Sequence, residues 1–186
     1  IMAKHSTLET FASKVQRDDE FKKRSVVALR PWRNAKAVEA CTNRLTELEP
    51  TQKAQMARVL SRRAKLYIDV HAMENAIADY TAVLKLCPVD ADVEYDDLTI
   101  STHIRRGMVR HFSKQDHLAL VDLEKGWQLF RAKRESLRVM GEAVFPSPLL
   151  DKAAHLIHAI RFRLRMEEID RREHRVHPFP AGAVLR

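Results

Sequence analysis

Apolar residues recur every three or four positions along most of the chain, and this spacing places them on one face of an α-helix. The pattern is strongest after Thr51, where two amphipathic stretches are joined by the short segment 69–72. Because so short a connection requires antiparallel packing, the sequence predicts a helical hairpin that ends before Pro88. Its apolar positions are Met56, Leu60, Ala64, Tyr67 and Ile68, followed by Met73, Ala76, Ile77, Tyr80, Leu84 and Cys87.

A second hairpin is predicted after residues 89–97, a segment with five carboxylates that we interpret as an acidic loop. Asp97, the last of them, is expected to cap the helix that follows. The apolar positions of the two helices are Ile100, Ile104, Gly107, Met108 and Phe112, then Ala119, Leu120, Leu123, Trp127 and Phe130. A final long helix is predicted over residues 146–177, because Ser147 is a good N-cap and Pro148 suits the first turn.

The two ends of the chain are expected to differ in structure. A helix is predicted over residues 1–17, where residues 6–9 (Ser-Thr-Leu-Glu) have the form of a capping box. Residues 178–186 are expected to form an extended tail, because Pro178 and Pro180 cannot continue the preceding helix. The predicted fold is all-α, a short stack of antiparallel helical hairpins with a long C-terminal helix that caps the stack.

An internal repeat relates the two hairpins. Four positions of the first hairpin recur 43 residues later, and the small residues among them stand where two helices must approach closely. The pairs are Ala64 with Gly107, Tyr67 with Arg110, Ala76 with Ala119, and Tyr80 with Leu123. The repeat therefore indicates helical units that stack on one another and bury a shared core.

The best-defined unit, residues 57–90, resembles the tetratricopeptide repeat (TPR) family, whose unit is 34 residues long. Six of its residues stand at the family's consensus positions: Leu60, Ala64, Tyr67, Ala76, Tyr80 and Pro88. Arg63 and Val83 depart from the leucine and alanine that are usual there. The resemblance implies that this hairpin is one unit of a helical solenoid.

Two further units are less regular. The unit at residues 100–133 lacks the closing proline, and a degenerate unit is readable at residues 18–51. The unit at residues 100–133 keeps the consensus residues Gly107, Ala119 and Leu123. The resemblance implies TPR-like helical repeats over residues 18–145, with the helix at 146–177 covering the end of the stack.

The resemblance also implies that partners bind in a groove lined by the first helix of each repeat. The basic residues that it places there are Lys22, Arg62, Lys65 and Arg105. Most residues of the clamp with which the family binds chaperone tails are not present, because Val26 and Arg62 replace its two asparagines and Ser101 replaces a lysine. These basic residues are therefore expected to be either solvated positions or contacts for an acidic peptide of another kind.

No catalytic or cofactor-binding motif is recognisable in the sequence. The sequence contains no nucleophile, Gly-rich phosphate loop or pair of carboxylates with the neighbouring residues that its catalytic mechanism requires. The acidic segment lacks the turn glycine of an EF-hand, and the pairs His155/His158 and His174/His177 lack further zinc ligands. We therefore predict that the chain is not an enzyme and binds neither a metal nor a cofactor.

The chain is basic, with 33 Lys and Arg residues against 25 Asp and Glu residues, and the excess lies mainly towards its two ends. Such ends suit an acidic protein surface, anionic lipid headgroups or RNA. RNA is the strongest rival to protein, because six arginines lie between residues 161 and 175. Four carboxylates interleave with them, however, and neighbouring opposite charges neutralise one another on a helix. No apolar run is long enough for a transmembrane segment.

Together these patterns favour a non-catalytic TPR-like adaptor or structural subunit of a larger protein assembly. A mitochondrial complex is the favoured setting, since Arg-rich basic chains are common there, and cytoplasmic or cytoskeletal and ciliary settings are the alternatives. The alternative function is a basic helical-repeat protein that contacts RNA, for example on a ribosome. In the tail, the apolar residues Phe179, Val184 and Leu185 are predicted to dock onto a protein partner or to fold back onto the last helix.

Overall fold

The computed structural model describes residues 33–87, 93–140 and 147–176, which contain helices and no strand. The predicted all-α class is thereby confirmed. The helices within the described residues are α1 (33–47), α2 (Lys53–Asp69), α3 (Met73–Leu86), α4 (Val93–Phe112), α5 (Asp116–Val139) and α6 (Pro148–Val176). Outside the described residues lie the predicted helix at 1–17, the predicted tail at 178–186 and the first part of the unit at 18–51.

The α2–α3 hairpin turns through a Schellman motif, a helix ending in which two N–H groups reach back to carbonyls of the last turn. The His71 N–H donates a hydrogen bond to the carbonyl of Ile68 at 3.0 Å. The Ala72 N–H donates to the carbonyl of Tyr67 at 2.8 Å. His71 has the left-handed φ, 60°, that this motif requires, although glycine is the usual residue at the position.

The α4–α5 hairpin turns through the same motif 43 residues later. The Lys114 N–H donates to the carbonyl of His111 at 3.0 Å, and the Gln115 N–H donates to that of Arg110 at 2.8 Å. Lys114 has a φ of 62°. The sequence repeat therefore extends to the backbone dihedrals and hydrogen bonds of the two turns.

From α2 to α6 the helices pack in chain order, each against the one before it and the one after it. Helix α4 also contacts both α2 and α6, whereas no such contact joins the two described helices α3 and α5. These helices therefore form two layers, with α2, α4 and α6 close together in one and with α3 and α5 farther apart in the other. We call the layer of α2, α4 and α6 the inner layer.

The core lies between the two layers and consists mainly of small and aliphatic side chains. Ala64, Ala76, Tyr80 and Val109 form one fully buried cluster, so the first hairpin and α4 share a core. A second cluster joins α4, α5 and α6 and holds the last helix against the preceding hairpin. Its buried members are Ile100, Ile104, Ala119, Leu123, Leu150, Ala153, Ile157 and Ile160.

The start of α4 differs from the sequence prediction. The sequence predicts an acidic loop over residues 89–97 with Asp97 as a helix cap, but α4 begins at Val93. Asp97 lies inside the helix, and its carboxylate forms a 2.8 Å ion pair with Lys133 of α5. Carboxylates near a helix N-terminus interact favourably with the helix dipole. The C-terminal part of the acidic segment therefore stabilises α4 from within its first turns and does not form a loop before it.

Candidate partner-binding surface

Two of the predicted partner-binding residues lie close together in the inner layer. Lys65 on α2 is exposed and Arg105 on α4 is half-buried. Partial desolvation lowers the pKa of the Lys65 ammonium group, and the positive charge of Arg105 lowers it further. The ion pairs formed among the described residues include neither side chain. The two cations therefore form a positive site without a counterion from the described part of the chain.

A buried phenol lies beside this positive site. Tyr80 on α3 is fully buried, and within the described residues its hydroxyl has no hydrogen-bond partner. Burial raises the pKa of Tyr80 to about 12, although the nearby charge of Arg105 acts in the opposite direction. Tyr80 is therefore neutral at physiological pH and contributes no negative charge that would offset Lys65 or Arg105.

Arg62 extends the positive surface along α2. Its side chain is exposed, and residues three positions apart are neighbours on a helix surface, which places Arg62 beside Lys65. We call Arg62, Lys65 and Arg105 the basic face. The other predicted partner-binding residues lie outside the described residues: Lys22, Phe179, Val184 and Leu185.

A polar contact joins α1, α2 and α3. Arg63 donates hydrogen bonds of 2.8 Å from Nε and 2.7 Å from Nη2 to the two carboxylate oxygens of Asp79. Its Nη1 donates a third hydrogen bond, of 3.0 Å, to Oγ1 of Thr42 on α1. A two-point contact between a guanidinium group and a carboxylate is geometrically specific, so it fixes the alignment of α2 against α3.

The same contact recurs 43 residues later and joins α3, α4 and α5. Arg106 donates hydrogen bonds of 2.8 Å from Nε and 2.6 Å from Nη2 to the carboxylate oxygens of Asp122. Its Nη1 donates a third hydrogen bond, of 3.0 Å, to Oγ1 of Thr81. Arg110 Nη1 donates a further 2.8 Å hydrogen bond to the same carboxylate, and His103 Nδ1 lies 3.6 Å from it. Two guanidinium groups thus share the carboxylate of Asp122.

The surroundings of Asp122 keep it ionised. Burial by itself would raise the pKa of this carboxyl, but the neighbouring His103, Arg106 and Arg110 outweigh that effect and lower the pKa. Only 2% of Asp122 is exposed, and its oxygens already accept hydrogen bonds. This carboxylate is therefore suited to holding helices together, and a substrate would have no access to it.

Arginines of α6 also pair with carboxylates of the chain itself. The pairs are Arg161 with Glu124 at 2.7 Å, Arg163 with Asp116, and Arg171 and Arg172 with Glu168 at 3.7 and 3.0 Å. A phosphate group would have to compete with these carboxylates for the same guanidinium groups. The segment is consequently a weaker candidate for nucleic-acid binding than its arginine content indicates.

Sequence reasoning misses both Arg–Asp contacts. It treats Arg63 only as a departure from the repeat consensus and gives Arg106 no role. The signal is nevertheless in the sequence, because Arg63 and Asp79 are separated from Arg106 and Asp122 by the same 43 residues as the small core residues. A charged residue that recurs with the core positions is expected to have a buried partner that recurs with it.

The described residues contain no group of three or more His, Cys, Asp or Glu side chains placed to hold a metal ion. None of their helices is long and apolar enough to cross a membrane, in agreement with the prediction of no transmembrane segment. No protein-family model, no curated protein and no solved structure matches the chain. On the basic face, Lys65 and Arg105 lie near each other without an ion-pair partner from the described residues.

Proposed function

We propose that this chain is a non-catalytic adaptor or structural subunit of a larger protein assembly, built from TPR-like repeats. The basic face binds an acidic segment of a partner protein. The observation that carries this proposal is the proximity of Lys65 and Arg105 without a carboxylate of the described chain to neutralise them. A mitochondrial complex is the setting that we propose first, with cytoplasmic, cytoskeletal and ciliary assemblies after it.

The energetic reason is that two cations held near each other repel, and a bound carboxylate attracts both. Desolvation and the charge of Arg105 already disfavour the charged form of Lys65 in the unbound chain. A carboxylate placed between the two side chains accepts charge-assisted hydrogen bonds from both and reverses the sign of the local electrostatic energy. An acidic partner segment therefore gains free energy at this surface, whereas a basic segment is repelled.

The repeated geometry supports the TPR-like part of the proposal. The turns at His71 and Lys114 and the two Arg–Asp contacts recur at one spacing, as expected for stacked copies of a single hairpin unit. The inner-layer helices of such a stack lie side by side. An extended segment that crosses α2 and α4 can then contact Arg62, Lys65 and Arg105 together.

Charge reversal on the basic face tests the proposal. The parent chain and the variants Lys65→Glu and Arg105→Glu are affinity-purified from cells at moderate salt, and the proteins that co-purify are quantified by mass spectrometry. We expect both variants to lose the same partner at least about tenfold, because each places a carboxylate where the partner's carboxylate binds. Lys125→Glu is the matched control, since Lys125 is exposed on α5 and the charge change is identical.

Two outcomes of this experiment would count against the proposal in different ways. Equal recovery of the partner with all variants would contradict the role of the basic face while leaving an adaptor with another surface. Failure of the parent chain to retain any specific protein would contradict the adaptor function itself. Co-purification of mitochondrial proteins in particular would support the proposed setting.

An RNA titration separates this proposal from the RNA-contacting alternative. The purified chain is titrated against single-stranded and double-stranded RNA by fluorescence anisotropy at several salt concentrations. We expect no tight binding near physiological salt, because four α6 arginines, Arg161, Arg163, Arg171 and Arg172, pair with carboxylates of the chain. Submicromolar affinity that falls steeply as salt rises would instead favour RNA, because phosphate contacts release counterions.

A further inference from the structure

Helix α6 has an apolar stripe on the side that faces away from the stack. Phe162, Met166 and Ile169 are spaced by four and three residues, so they lie on one face of the helix. They are 69%, 42% and 38% exposed. The opposite face of α6 is buried against α4 and α5 through residues such as Ile157 and Ile160. A contiguous exposed apolar stripe of this kind indicates an interaction surface.

Met166 and Ile169 of the stripe lie where α6 extends beyond the stack. Arg163 pairs with Asp116, the first residue of α5, so the remainder of α6 continues past the α4–α5 turn. Residues 164–176 correspond to about 20 Å of helix at 1.5 Å per residue. Between residues 165 and 172, every side chain except that of Glu168 is exposed. A second helix can therefore lie along this segment without meeting the preceding hairpins.

Two charged side chains flank the stripe and lack ion-pair partners among the described residues. They are Arg165 and Asp170, both exposed. Five residues correspond to about 140° around an α-helix, so the two charges lie on opposite sides of the stripe. In a heptad, Phe162 and Ile169 then occupy d positions and Met166 an a position, while Arg165 is at g and Asp170 at e.

From this pattern we infer that two copies of the chain pair through their α6 helices, parallel and in register, with the stripe as the apolar seam. In a parallel pair, g and e residues of the two helices form interhelical salt bridges. Arg165 of each copy then meets Asp170 of the other, so the two-fold symmetry forms this ion pair twice. A second copy is the occupant because the chain supplies both the apolar seam and its charge complement. The inference does not depend on the basic face.

Sedimentation equilibrium of the intact chain from low micromolar to submillimolar concentration tests the inference. We expect a reversible dimer that dissociates on dilution, because the seam is short. Met166→Glu should weaken dimerisation at least about tenfold, since it buries two facing carboxylates in the seam. Met140→Glu is the matched control, because Met140 is 69% exposed at the end of α5 and outside the stripe. A chain that remains monomeric at every concentration would overturn the inference.

A charge swap tests the register of the two helices. Arg165→Glu alone and Asp170→Arg alone should each weaken the dimer severalfold, because each replaces two attractive pairs with two repulsive ones. The double variant Arg165→Glu/Asp170→Arg should restore dimerisation, since the pairs form again with their signs exchanged. Single variants that weaken the dimer without rescue by the double variant would overturn the proposed pairing of Arg165 with Asp170.

A cysteine at a d position tests whether the helices are parallel. Cys41 and Cys87 are buried, so the thiol of Ile169→Cys is accessible where the native thiols of the described residues are not. Mild oxidation should give a disulfide-linked dimer, because the two d residues of one layer meet in a parallel pair. In an antiparallel pair Ile169 faces a different residue of the other copy. A dimer that fails to cross-link at this position would overturn the parallel arrangement.

Discussion

Arg63 holds Asp79 through two hydrogen bonds, of 2.8 Å and 2.7 Å, and so joins the two helices of one hairpin. Arg106 and Asp122 form the same contact in the next hairpin. Each arginine also donates a hydrogen bond to a threonine of the preceding helix. Small apolar residues allow two helices to approach closely, whereas these directional contacts select one alignment of the helices.

Replacing Asp122 with asparagine should destabilise the chain by about 3 kcal/mol, because Arg106 and Arg110 would lose the negative charge that they share. Urea unfolding followed by circular dichroism at neutral pH measures this change. Glu47→Gln is the control, since Glu47 forms an exposed ion pair with Arg44 that contributes less than about 1 kcal/mol. Equal unfolding midpoints for the two variants would show that Asp122 does not stabilise the hairpin.

Acid should weaken the contact at Asp122. The pKa of Asp122 is lower in the folded chain than in the unfolded chain, so its ionisation stabilises the folded state above the unfolded value of about 3.9. This contribution is lost as the pH falls from about 4 through the folded-state pKa. The difference in unfolding free energy between the parent chain and Asp122→Asn should therefore be largest near neutral pH and should shrink below about pH 4. Urea titrations at a series of pH values measure it, and a difference that is constant with pH would contradict the assignment.

Lys114→Gly should stabilise the chain by roughly 0.5–1 kcal/mol. Lys114 has a φ of 62°, which costs a non-glycine residue about 1–2 kcal/mol, and the greater backbone entropy that glycine loses on folding offsets part of the gain. Thermal unfolding of the two proteins measures the change. Lys125→Gly makes the same substitution inside α5 and should instead destabilise by about 1 kcal/mol. A loss of stability in Lys114→Gly would mean that the lysine side chain contributes more than its backbone conformation costs.

Gly107→Ala should destabilise the chain, although alanine favours helix by about 1 kcal/mol over glycine. A Cβ at position 107 would lie 2.8 Å from Cγ of Leu123 and 3.0 Å from the carbonyl oxygen of Ala119. Leu123 is fully buried and the carbonyl belongs to a helix backbone, so neither can move aside easily. Overpacking of this kind costs about 1–3 kcal/mol. Over most of that range the cost is larger than the gain in helix propensity.

Urea unfolding of Gly107→Ala and of the double variant Gly107→Ala/Leu123→Val checks the mechanism. Shortening Leu123 should relieve part of the clash, so the double variant should lose less stability than the sum of the two single variants. A stabilised Gly107→Ala variant would instead show that α4 and α5 can separate slightly without cost.

Local patterns were sufficient to predict the described helices, apart from the start of α4, because the spacing of apolar residues depends only on helix geometry. The same spacing could not predict that Lys65 meets Arg105, since this depends on how far α2 and α4 rotate about their axes when they pack. It also could not predict the left-handed conformations of His71 and Lys114, because neither residue is the glycine that usually marks such a position. The packing of α2 against α4, a tertiary contact, determines the first of these features.

The role of Arg63 illustrates a different limit. Compared with the family consensus, an arginine at a position where leucine is usual is only a departure from the pattern. In the fold, its charge is neutralised by Asp79, sixteen residues away on the facing helix. Buried charges require partners, so the arginine and the aspartate have to be interpreted together, and periodicity of apolar residues gives no information about such pairs.

The hydrogen bonds from Arg63 to Thr42 and from Arg106 to Thr81 also affect how easily the helices can move against one another. Rotation of α2 against α1, or of α4 against α3, would stretch the hydrogen bond from Arg63 or Arg106 to its threonine, while the same guanidinium group stays bonded to its aspartate. Bending at these junctions is therefore opposed by oriented polar bonds as well as by packing. We therefore expect α1 to α5 to behave as a stiff element.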